Sequence, residues 1–327
     1  MRYRTKRLEE CAKIFLKNQQ VRTRYEGVGV EDLVLLVSAE RVQVGSLTRP
    51  PYAHAATRLQ AENEAARRWV GDSPRGGRMV DLTPEEVERY DRQLRVWGLE
   101  AQKKLKSSTV LVVGVGGLGS PAAMYLAAAG VGRIILVDSE KVELSNLNRQ
   151  VLHWTPDIGR EKVSSAASKL SELNPHVKVV QVFGKLETLE RAEQLVAGAD
   201  VVVDCLDNWK TRFLLNEACV KLGKPLVHAA VRGLYGQLMV VKPGESACLR
   251  CLLPEDPPEE KTFPVAGPTP GVLGTLEALE AVKLITGYGQ PLAGKLLIFD
   301  GVQGSFDVIN VKKRENCPVC GHVKALG

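Results

Sequence analysis

The sequence lacks any apolar run long enough to cross a membrane. A membrane-spanning helix needs about 18 or more consecutive apolar residues, and no stretch of the 327 residues approaches this. Residues 1–20 mix Arg, Lys and Glu, whereas a secretory signal would need an apolar core there. We therefore expect a cytoplasmic protein without a membrane partner.

A dense stripe of basic residues is also absent. The net charge of +6 is the small difference between 44 basic and 38 acidic residues, which are spread along the whole chain. Nucleic-acid-binding proteins concentrate Lys and Arg on one face or in one run. The composition therefore predicts no nucleic-acid partner.

Cysteine is scarce, and most of it lies in two pairs. Four of the seven cysteines form two C-x-x-C pairs, which fit a reducing compartment better than a disulfide scaffold. A redox dithiol is the alternative, but it needs a pair at a helix N-terminus, and these pairs are flanked by proline and loop residues. Two such pairs provide the ligands of a closed tetrahedral zinc site, here Cys248, Cys251, Cys317 and Cys320.

The chain divides into two regions near residue 78. Residues 73–77, SPRGG, indicate a linker, and Thr83 followed by Pro84 and two acids marks the start of a helix. Residues 1–77 are predicted to form a mostly helical extension, to which the sequence assigns no role. Residues 78–327 form the main domain, and its C-terminal tail carries the second cysteine pair.

Short apolar strands alternate with helical segments from residue 109 onward. This alternation predicts a Rossmann-like α/β fold, with a mostly parallel sheet, helices on both faces and antiparallel strands at one end. The predicted strands are 109–113, 133–138, 177–183, 201–205, 225–231, 237–242, 295–300 and 305–311. The predicted helices are 118–129, 161–173, 189–197, 210–222 and 271–285.

Two further segments lie near the C-terminal end of this pattern. Residues 252–270 are rich in proline and form either a functional crossover loop or a disordered one. In the helix that follows, four apolar residues recur at helical spacing and are predicted to face the core: Leu273, Leu276, Leu279 and Val282.

A glycine-rich turn follows the first predicted strand. The glycines fit G-x-G-x-x-G between a strand and a helix, a pattern that lets the backbone approach a phosphate. Asp138 ends the next strand, where an acid would meet ribose hydroxyls. On these residues alone, a dehydrogenase and an ATP-using enzyme stay equally open. The glycines of this turn are Gly114, Gly116, Gly117 and Gly119.

The residues after Asp138 favour a triphosphate. The string SNLNRQ at residues 145–150 places Asn146 and Arg149 in one loop, and Lys162 starts a helix shortly afterwards. Cations and amides suit a triphosphate whose charge grows during transfer, and a hydride-transfer site does not need them. Asp207 follows another strand end, where it would hold Mg²⁺ or, as the alternative, cap a helix. For Lys162, an exposed lysine on a solvated face is the alternative.

Several of these strings occur together in one order. GVGGLG, VDSEKVELSNLNRQ, GREKV and DCLDN follow RYDRQLRVWG, which occupies residues 89–98. In this combination the chain resembles the adenylation domain of ubiquitin-activating enzymes. It also resembles their bacterial relatives, the adenylyltransferases of molybdopterin synthase and thiamine thiazole synthesis. RYDRQLRVWG is most similar to the eukaryotic ubiquitin-activating form. The resemblance covers residues 82–321, about three quarters of the chain.

The resemblance implies ATP, Mg²⁺ and Zn²⁺, together with roles for individual residues. Asp138 would bind the ribose of ATP. Asn146, Arg149 and Lys162 would bind its phosphates, and Asp207 would bind the magnesium. The zinc would tie the crossover segment to the C-terminal tail.

The resemblance also implies a second subunit and a partner protein. Arg92 would reach the γ-phosphate of ATP from the partner subunit of a homodimer. The reaction would be attack of a Gly-Gly C-terminal carboxylate on the α-phosphate, giving an acyl-adenylate and pyrophosphate. Activation of a ubiquitin-like protein, with or without a later thioester step, is the main hypothesis. The alternative is the adenylyltransferase of a sulfur-carrier pathway, which would deliver its product to a sulfur donor rather than to a conjugating enzyme.

Two hypotheses from other classes stay open. An NAD-dependent oxidoreductase would use the same glycine-rich turn. An inactive half of a heterodimer would act only as a protein-binding module, although chemically competent residues fill every ATP-site position.

The cysteine nucleophile that many relatives carry after the first zinc pair is missing here. Residues 262–267, TFPVAG, contain no cysteine. Cys205 and Cys219 lie in apolar segments and are expected to pack in the core. Cys11 is the remaining candidate for a thioester, although the negative charges of Glu9 and Glu10 beside it disfavour a thiolate.

Overall fold

An eight-stranded sheet forms the centre of the protein, whose computed structural model describes residues 80–258 and 263–323. The strands are β1 (Thr109–Val113), β2 (Arg133–Asp138), β3 (Lys178–Phe183), β4 (Val201–Asp204), β5 (Leu226–Arg232), β6 (Tyr235–Val241), β7 (Lys295–Asp300) and β8 (Ser305–Asn310). Their order in the sheet is β3-β2-β1-β4-β5-β6-β7-β8. The strands from β3 to β5 in this order are parallel, and β6, β7 and β8 continue the sheet in antiparallel pairing.

Helices cover both faces of this sheet. They are α1 (Pro84–Arg89), α2 (Asp91–Ser107), α3 (Gly119–Ala129), α4 (Lys162–Leu173), α5 (Leu189–Ala197), α6 (Trp209–Lys221), α7 (Leu249–Leu252) and α8 (Pro268–Thr286). The predicted Rossmann-like fold, with antiparallel strands at one end, is therefore confirmed. The predicted extension 1–77 lies outside the described residues, and the boundary near residue 78 stays a prediction.

The central strands are apolar on both faces because both faces are covered. In β1, Val110 and Val112 belong to one hydrophobic core, whereas Leu111 and Val113 belong to the other. The first core is completed by α3, α4 and α8, and the second by α5, α6 and α7. A parallel strand buried on both faces has a continuous apolar sequence rather than an alternating one. The run TVLVV of β1 shows this pattern.

The first described helix starts as its sequence predicts. The Thr83 side chain accepts a hydrogen bond from the Glu86 backbone N–H, and the Glu86 carboxylate accepts one from the Thr83 N–H. This capping box satisfies two backbone donors that would otherwise have no partner at the start of a helix. Pro84 occupies the first turn, where a missing N–H costs nothing.

The segment around α8 differs from the sequence-based prediction in two ways. The helix begins at Pro268 rather than at residue 271, so the last residues of the predicted loop 252–270 are helical. Leu279, predicted to face the core, is 46% exposed, whereas Glu277 and Glu280 on the same helix are buried. Leu273 and Val282 are buried as predicted, and Leu276 is partly buried. The prediction for Leu279 was therefore wrong.

No helix among residues 80–258 and 263–323 is both long and apolar enough to cross a lipid bilayer.

The turn between β1 and α3 depends on close contact between two glycines. A Cβ at position 119 would lie 2.0 Å from the Gly114 carbonyl oxygen, whereas a Cβ at position 116 would meet nothing nearer than Gln150 Nε2 at 3.5 Å. Gly119→Ala should lower the free energy of unfolding by about 1–3 kcal/mol, the scale of overpacking. Gly116→Ala is the matched control and should lower it by clearly less. Urea unfolding measures both, and equal losses would contradict this account.

Candidate active site

A cavity of about 830 Å³ opens beside the carboxyl ends of the parallel strands. Its volume is within the range of pockets that bind drug-sized ligands. The loops after β1, β2, β3 and β4 line it, and Phe263, Val265 and Pro270 line it from the crossover segment. The structure thus brings most of the predicted site residues together. Those that line the cavity are Gly114, Gly116, Gly117, Asp138, Asn146, Arg149, Lys162 and Asp207.

The glycine-rich turn is held at Val115 from two sides. Asp138 Oδ2 accepts a hydrogen bond of 2.8 Å from the Val115 N–H, and His153 Nε2 lies 2.8 Å from the Val115 carbonyl oxygen. Because a carbonyl can only accept, the proton of His153 is on Nε2, and its Nδ1 accepts from the Ser165 hydroxyl at 2.9 Å. Burial lowers the pKa of His153 to about 4, which keeps the ring neutral at pH 7.

Asp138 makes a second structural contact, and its predicted ribose-binding role stays a prediction. Its second oxygen, Oδ1, accepts from the Glu140 N–H at 2.8 Å. Burial raises the pKa of Asp138 above its ordinary value, and the positive charge of Lys162 lowers it. Each carboxylate oxygen can accept more than one hydrogen bond, so ribose hydroxyls can still donate to Asp138.

The SNLNRQ loop places an amide and a guanidinium at the cavity. Asn146 is 7% exposed, and its Oδ1 accepts from the Glu143 N–H at 3.1 Å, which closes the loop upon itself. Arg149 donates through Nη1 to the Ser145 carbonyl at 2.9 Å and to Asn148 Oδ1 at 3.1 Å. Local acceptors therefore orient the Arg149 guanidinium, which lines the cavity.

Lys162 lies in the cavity wall and not on a solvated face. The residue is 2% exposed, and its Nζ lies 2.5 Å from Glu140 Oε2. The Glu140 side chain is 64% exposed, so its carboxylate is mostly hydrated while the ammonium is not. A buried cation at a cavity wall is a ready partner for an anionic ligand, because its desolvation is already complete. The alternative of a solvent-exposed lysine was therefore wrong.

Asp207 is an exposed carboxylate at the cavity, and the neighbouring asparagine caps the helix. Asn208 Oδ1 accepts from the Thr211 N–H at 2.9 Å at the start of α6. Asp207 Oδ1 accepts a long hydrogen bond of 3.4 Å from Asn208 Nδ2. The capping alternative for Asp207 was therefore wrong, and its carboxylate is available to a metal ion.

Two of the residues predicted for the ATP site do not line the cavity. Gly119 lies behind the turn, where it permits the close packing described above. Arg92 is exposed on α2. In this structure Arg92 therefore lies outside the cavity of its own chain. The predicted role of Arg92 in a partner subunit's cavity stays a prediction.

The cysteines outside the two pairs are poor nucleophiles where the structure describes them. Cys205 and Cys219 are 6% and 0% exposed. Burial raises the pKa of both thiols well above the ordinary value. Both thiols therefore stay protonated at pH 7, as expected for cysteines that pack in the core. Cys11 lies outside the described residues.

The two C-x-x-C pairs meet in one cluster. The Sγ atoms of Cys248, Cys251, Cys317 and Cys320 all lie within 4.8 Å of one another, and all four residues are buried. Cys248 and Cys317 are 3.7 Å apart at sulfur, and Cys251 and Cys320 are 3.4 Å apart. Tetrahedral zinc with Zn–S bonds near 2.3 Å places neighbouring sulfurs about 3.8 Å apart. The four cysteines thus fit a structural zinc ion, which would join α7 to the C-terminal tail.

Several polar residues at the cavity were not predicted from the sequence. Gln150, which belongs to the SNLNRQ string, is 5% exposed, and its Oε1 has no hydrogen-bond partner among the residues that the structure describes. Arg212 also lines the cavity, on α6. Glu140, the ion-pair partner of Lys162, could have been predicted from the sequence because it follows Asp138 by two residues. No sequence pattern pointed to Arg212.

Comparison with known proteins identifies the family. A model of the ThiF family matches residues 90–319, more than two thirds of the chain. The chain belongs to the ThiF family. The resemblance to ubiquitin-activating-type adenylyltransferases, stated above from the motifs, is thereby confirmed.

Named relatives of this ThiF-family chain include two kinds of protein. "Adenylyltransferase and sulfurtransferase MOCS3" from Drosophila yakuba is 46% identical over 273 residues, which are 80% of this chain and 60% of that protein. The chain thus spans less than two thirds of this relative's length. Protein HesA from Leptolyngbya boryana is 44% identical over 247 residues, or 75% of this chain and 89% of HesA.

Solved structures agree with the fold. E. coli MccB crystallised with ATP superimposes with a TM-score of 0.62 at 26% identity, covering 71% of this chain and 74% of MccB. PaaA gives a TM-score of 0.63 at 26% identity, covering 81% of this chain and 84% of PaaA.

The cysteine cluster predicts the metal content of the purified protein. Elemental analysis should find one zinc per chain, and Cys317→Ser should lose most of it because three thiolates leave the tetrahedral site open. The variant should also become sensitive to proteolysis after residue 310, since the tail loses its tie to α7. Cys219→Ser, also buried but outside the cluster, is the control and should keep the zinc. Full zinc in Cys317→Ser would contradict the assignment.

Proposed function

We propose that this chain is an ATP-dependent adenylyltransferase that activates the C-terminal glycine carboxylate of a sulfur-carrier protein with a ubiquitin-like fold. One observation carries the proposal. One cavity at the strand ends is lined by a glycine-rich turn, the Asp138 carboxylate at the end of β2, cations that include Arg149 and Lys162, and the Asp207 carboxylate after β4. Family membership supports the same chemistry.

The proposed reaction joins two anions. The carboxylate of the carrier attacks the α-phosphate of ATP, a bond forms between its oxygen and the phosphorus, and pyrophosphate leaves. A carboxylate is ionised at neutral pH, so no general base is required. The barrier lies instead in bringing a negative nucleophile to a triphosphate, and preorganised positive charge lowers such barriers.

The chain's own residues provide that charge in the proposal. Arg149 and Lys162 bind the phosphates, Asn146 donates an amide hydrogen bond to them, and Asp138 holds the ribose. Lys162 is buried, so binding a phosphate adds little desolvation cost, and the phosphate competes with the exposed Glu140 carboxylate for its ammonium group. Mg²⁺ held by Asp207 would neutralise part of the triphosphate charge.

The sulfur-carrier alternative now has more support than the ubiquitin-like activator that was our main hypothesis. MOCS3 carries both "adenylyltransferase" and "sulfurtransferase" in its name, and its identity to this chain is high. The activator hypothesis retains one argument, the string RYDRQLRVWG at residues 89–98. Both hypotheses share the adenylation step and differ in what accepts the activated glycine.

The acceptor in the proposal is an external sulfur donor. Residues 252–270 contain no cysteine, and Cys205 and Cys219 are buried as protonated thiols. An enzyme-bound thioester therefore has no accessible site among the described residues. The adenylate then passes directly to a sulfur donor, and AMP leaves.

The experiment offers two partners to the enzyme with ATP and Mg²⁺. A sulfur-carrier protein ending in Gly-Gly should support ATP–pyrophosphate exchange, and a ubiquitin-like modifier ending in Gly-Gly should support it much less. Gels run with and without reductant should show no reductant-sensitive enzyme adduct. Such an adduct would support the conjugation alternative, and Cys11→Ser would test its site. Exchange with neither partner, together with thermal stabilisation by NAD but not by Mg–ATP, would support the oxidoreductase instead.

Arg92 provides a further prediction, because in the proposal it completes the site of a partner subunit. Arg92→Ala should lower the exchange rate by about 10³-fold or more, the scale of other arginine fingers. The exposed position of Arg92 on α2, outside its own cavity, agrees with action in trans.

Mixing two inactive variants tests action between subunits. Arg92→Ala and Asp207→Asn, refolded together at equal amounts, should recover about a quarter of the wild-type rate. Half of the dimers are then mixed, and each mixed dimer has one complete site. No recovery, although the mixture forms dimers, would contradict a role for Arg92 across the interface.

A further inference from the structure

Three buried polar residues lie beneath the Asp207 end of the cavity. Asp204, Arg212 and His228 are 0%, 4% and 0% exposed. The proposed reaction uses none of them. Buried charges cost free energy unless they are paired and hydrogen-bonded, and a buried ion pair is weak evidence for stability by itself. A role in orienting the site would explain the position of these residues in the core.

Asp204, the last residue of β4, is the centre of this cluster. Its Oδ2 accepts from His228 Nδ1 at 2.7 Å, and His228 is its direct neighbour in register on β5. Its Oδ1 accepts from the Leu206 N–H at 3.2 Å and lies 3.9 Å from Arg212 Nε. With His228 donating through Nδ1, its Nε2 accepts from Gln237 Nε2 at 3.4 Å.

Arg212 holds the same turn from the other side. Its Nη2 donates to the Leu206 carbonyl and, at 3.1 Å, to the Ala229 carbonyl on β5. The guanidinium lies over the Trp209 ring at 4.8 Å from its centroid, which restricts its movement further. Leu206 is therefore bound at its N–H by Asp204 and at its carbonyl by Arg212. Leu206 directly precedes Asp207.

We propose that Asp204, Arg212 and His228 are positioning residues that fix the turn 204–208, so that Asp207 presents its carboxylate to the magnesium of bound Mg–ATP. The inference rests on the proposed function, in which Asp207 is the magnesium ligand. Within residues 80–258 and 263–323, the only side-chain hydrogen bond of Asp207 is the 3.4 Å contact with Asn208, so the backbone of the turn determines where its carboxylate lies.

The test compares ATP affinity with and without magnesium. Calorimetric titration gives the Kd of ATP in excess EDTA and in excess MgCl₂, and the ratio of the two measures the contribution of the metal. Arg212→Lys keeps a positive charge near Asp204 but cannot bind two carbonyls with a planar fork. We expect this ratio to fall by about tenfold in Arg212→Lys. The Kd of AMP in EDTA should stay within about twofold of the wild type.

His228 offers a matched pair of variants in case Arg212→Lys is unstable. An asparagine amide nitrogen occupies nearly the place of a histidine Nδ1, whereas a glutamine amide nitrogen occupies nearly the place of Nε2. His228→Asn should therefore keep the hydrogen bond to Asp204 and most of the magnesium contribution. His228→Gln should lose both. A merely structural role would damage AMP binding and thermal stability in parallel, and such a result would overturn the inference.

A control variant separates this effect from general loss of a buried ion pair. Lys106 Nζ lies 2.6 Å from Glu86 Oε2, near the amino ends of the strands and away from the cavity. Lys106→Gln should lower thermal stability without changing the magnesium contribution.

Asp207→Asn distinguishes failure of the positioning role from failure of the proposed function. If Asp207→Asn removes the magnesium contribution while Arg212→Lys and His228→Gln keep it, the positioning role is overturned and the proposed function stands. If wild-type protein binds no ATP, or binds it equally well without magnesium, the proposed function itself is overturned.

Discussion

The reversal of strand order beside β1 is the constraint on which the rest of the structure depends. β2 lies on one side of β1 and β4 lies on the other. The loops that follow β1 and β4 therefore leave the sheet in different directions. Divergence at the carboxyl ends of parallel strands opens a crevice between the following loops. The two loops nevertheless come close at their start, where a Cβ at Gly114 would lie 2.5 Å from the Cys205 carbonyl oxygen. The cavity is thus a result of topology, and the glycine at 114 permits the contact at its base.

A buried carboxylate at a strand end orients each of the two loops that border this crevice. Asp138 at the end of β2 accepts the N–H of Val115, and Asp204 at the end of β4 accepts the N–H of Leu206. Each carboxylate therefore fixes a backbone segment close to a residue that faces the cavity. Burying a carboxylate costs free energy, and the hydrogen bonds that it accepts offset much of this cost. The result is a fixed backbone geometry at the cavity, which a site for binding charged groups requires.

Local sequence predicted the fold and most of the site because these features depend on local chemistry. The apolar runs of β1 and β4 and the glycines between β1 and α3 can each be read within a few residues. The buried network could not be read in this way. His228 lies within the apolar run of β5, and its contact with Asp204 arises from the register between two strands.

The wrong prediction for Leu279 has a similar origin. Helical periodicity identifies a stripe but does not show which polar residues find partners inside. Glu280 accepts from the Leu292 N–H at 2.8 Å and pairs with Lys283 at 2.5 Å, and so it is satisfied when buried. Glu277 lies 3.4 Å from the Cys205 sulfur, and burial raises the pKa of its carboxyl well above the ordinary value. This rise favours the neutral acid, which is cheaper to bury than a carboxylate. Leu279 is turned outward as a consequence.

In the proposed adenylation, the site needs no nucleophile of its own. Adenylation turns a carboxylate, a poor electrophile, into an acyl-adenylate with a good leaving group, so any thiolate that reaches it can react. Of the cysteines in the described residues, four form the cluster and two are buried and protonated. In the proposed reaction, the thiolate therefore comes from Cys11 or from a sulfur donor outside the 327 residues. In the proposed function, the buried and protonated Cys205 thiol at the cavity does not compete with the sulfur donor for the adenylate, because a thiol is a far weaker nucleophile than a thiolate.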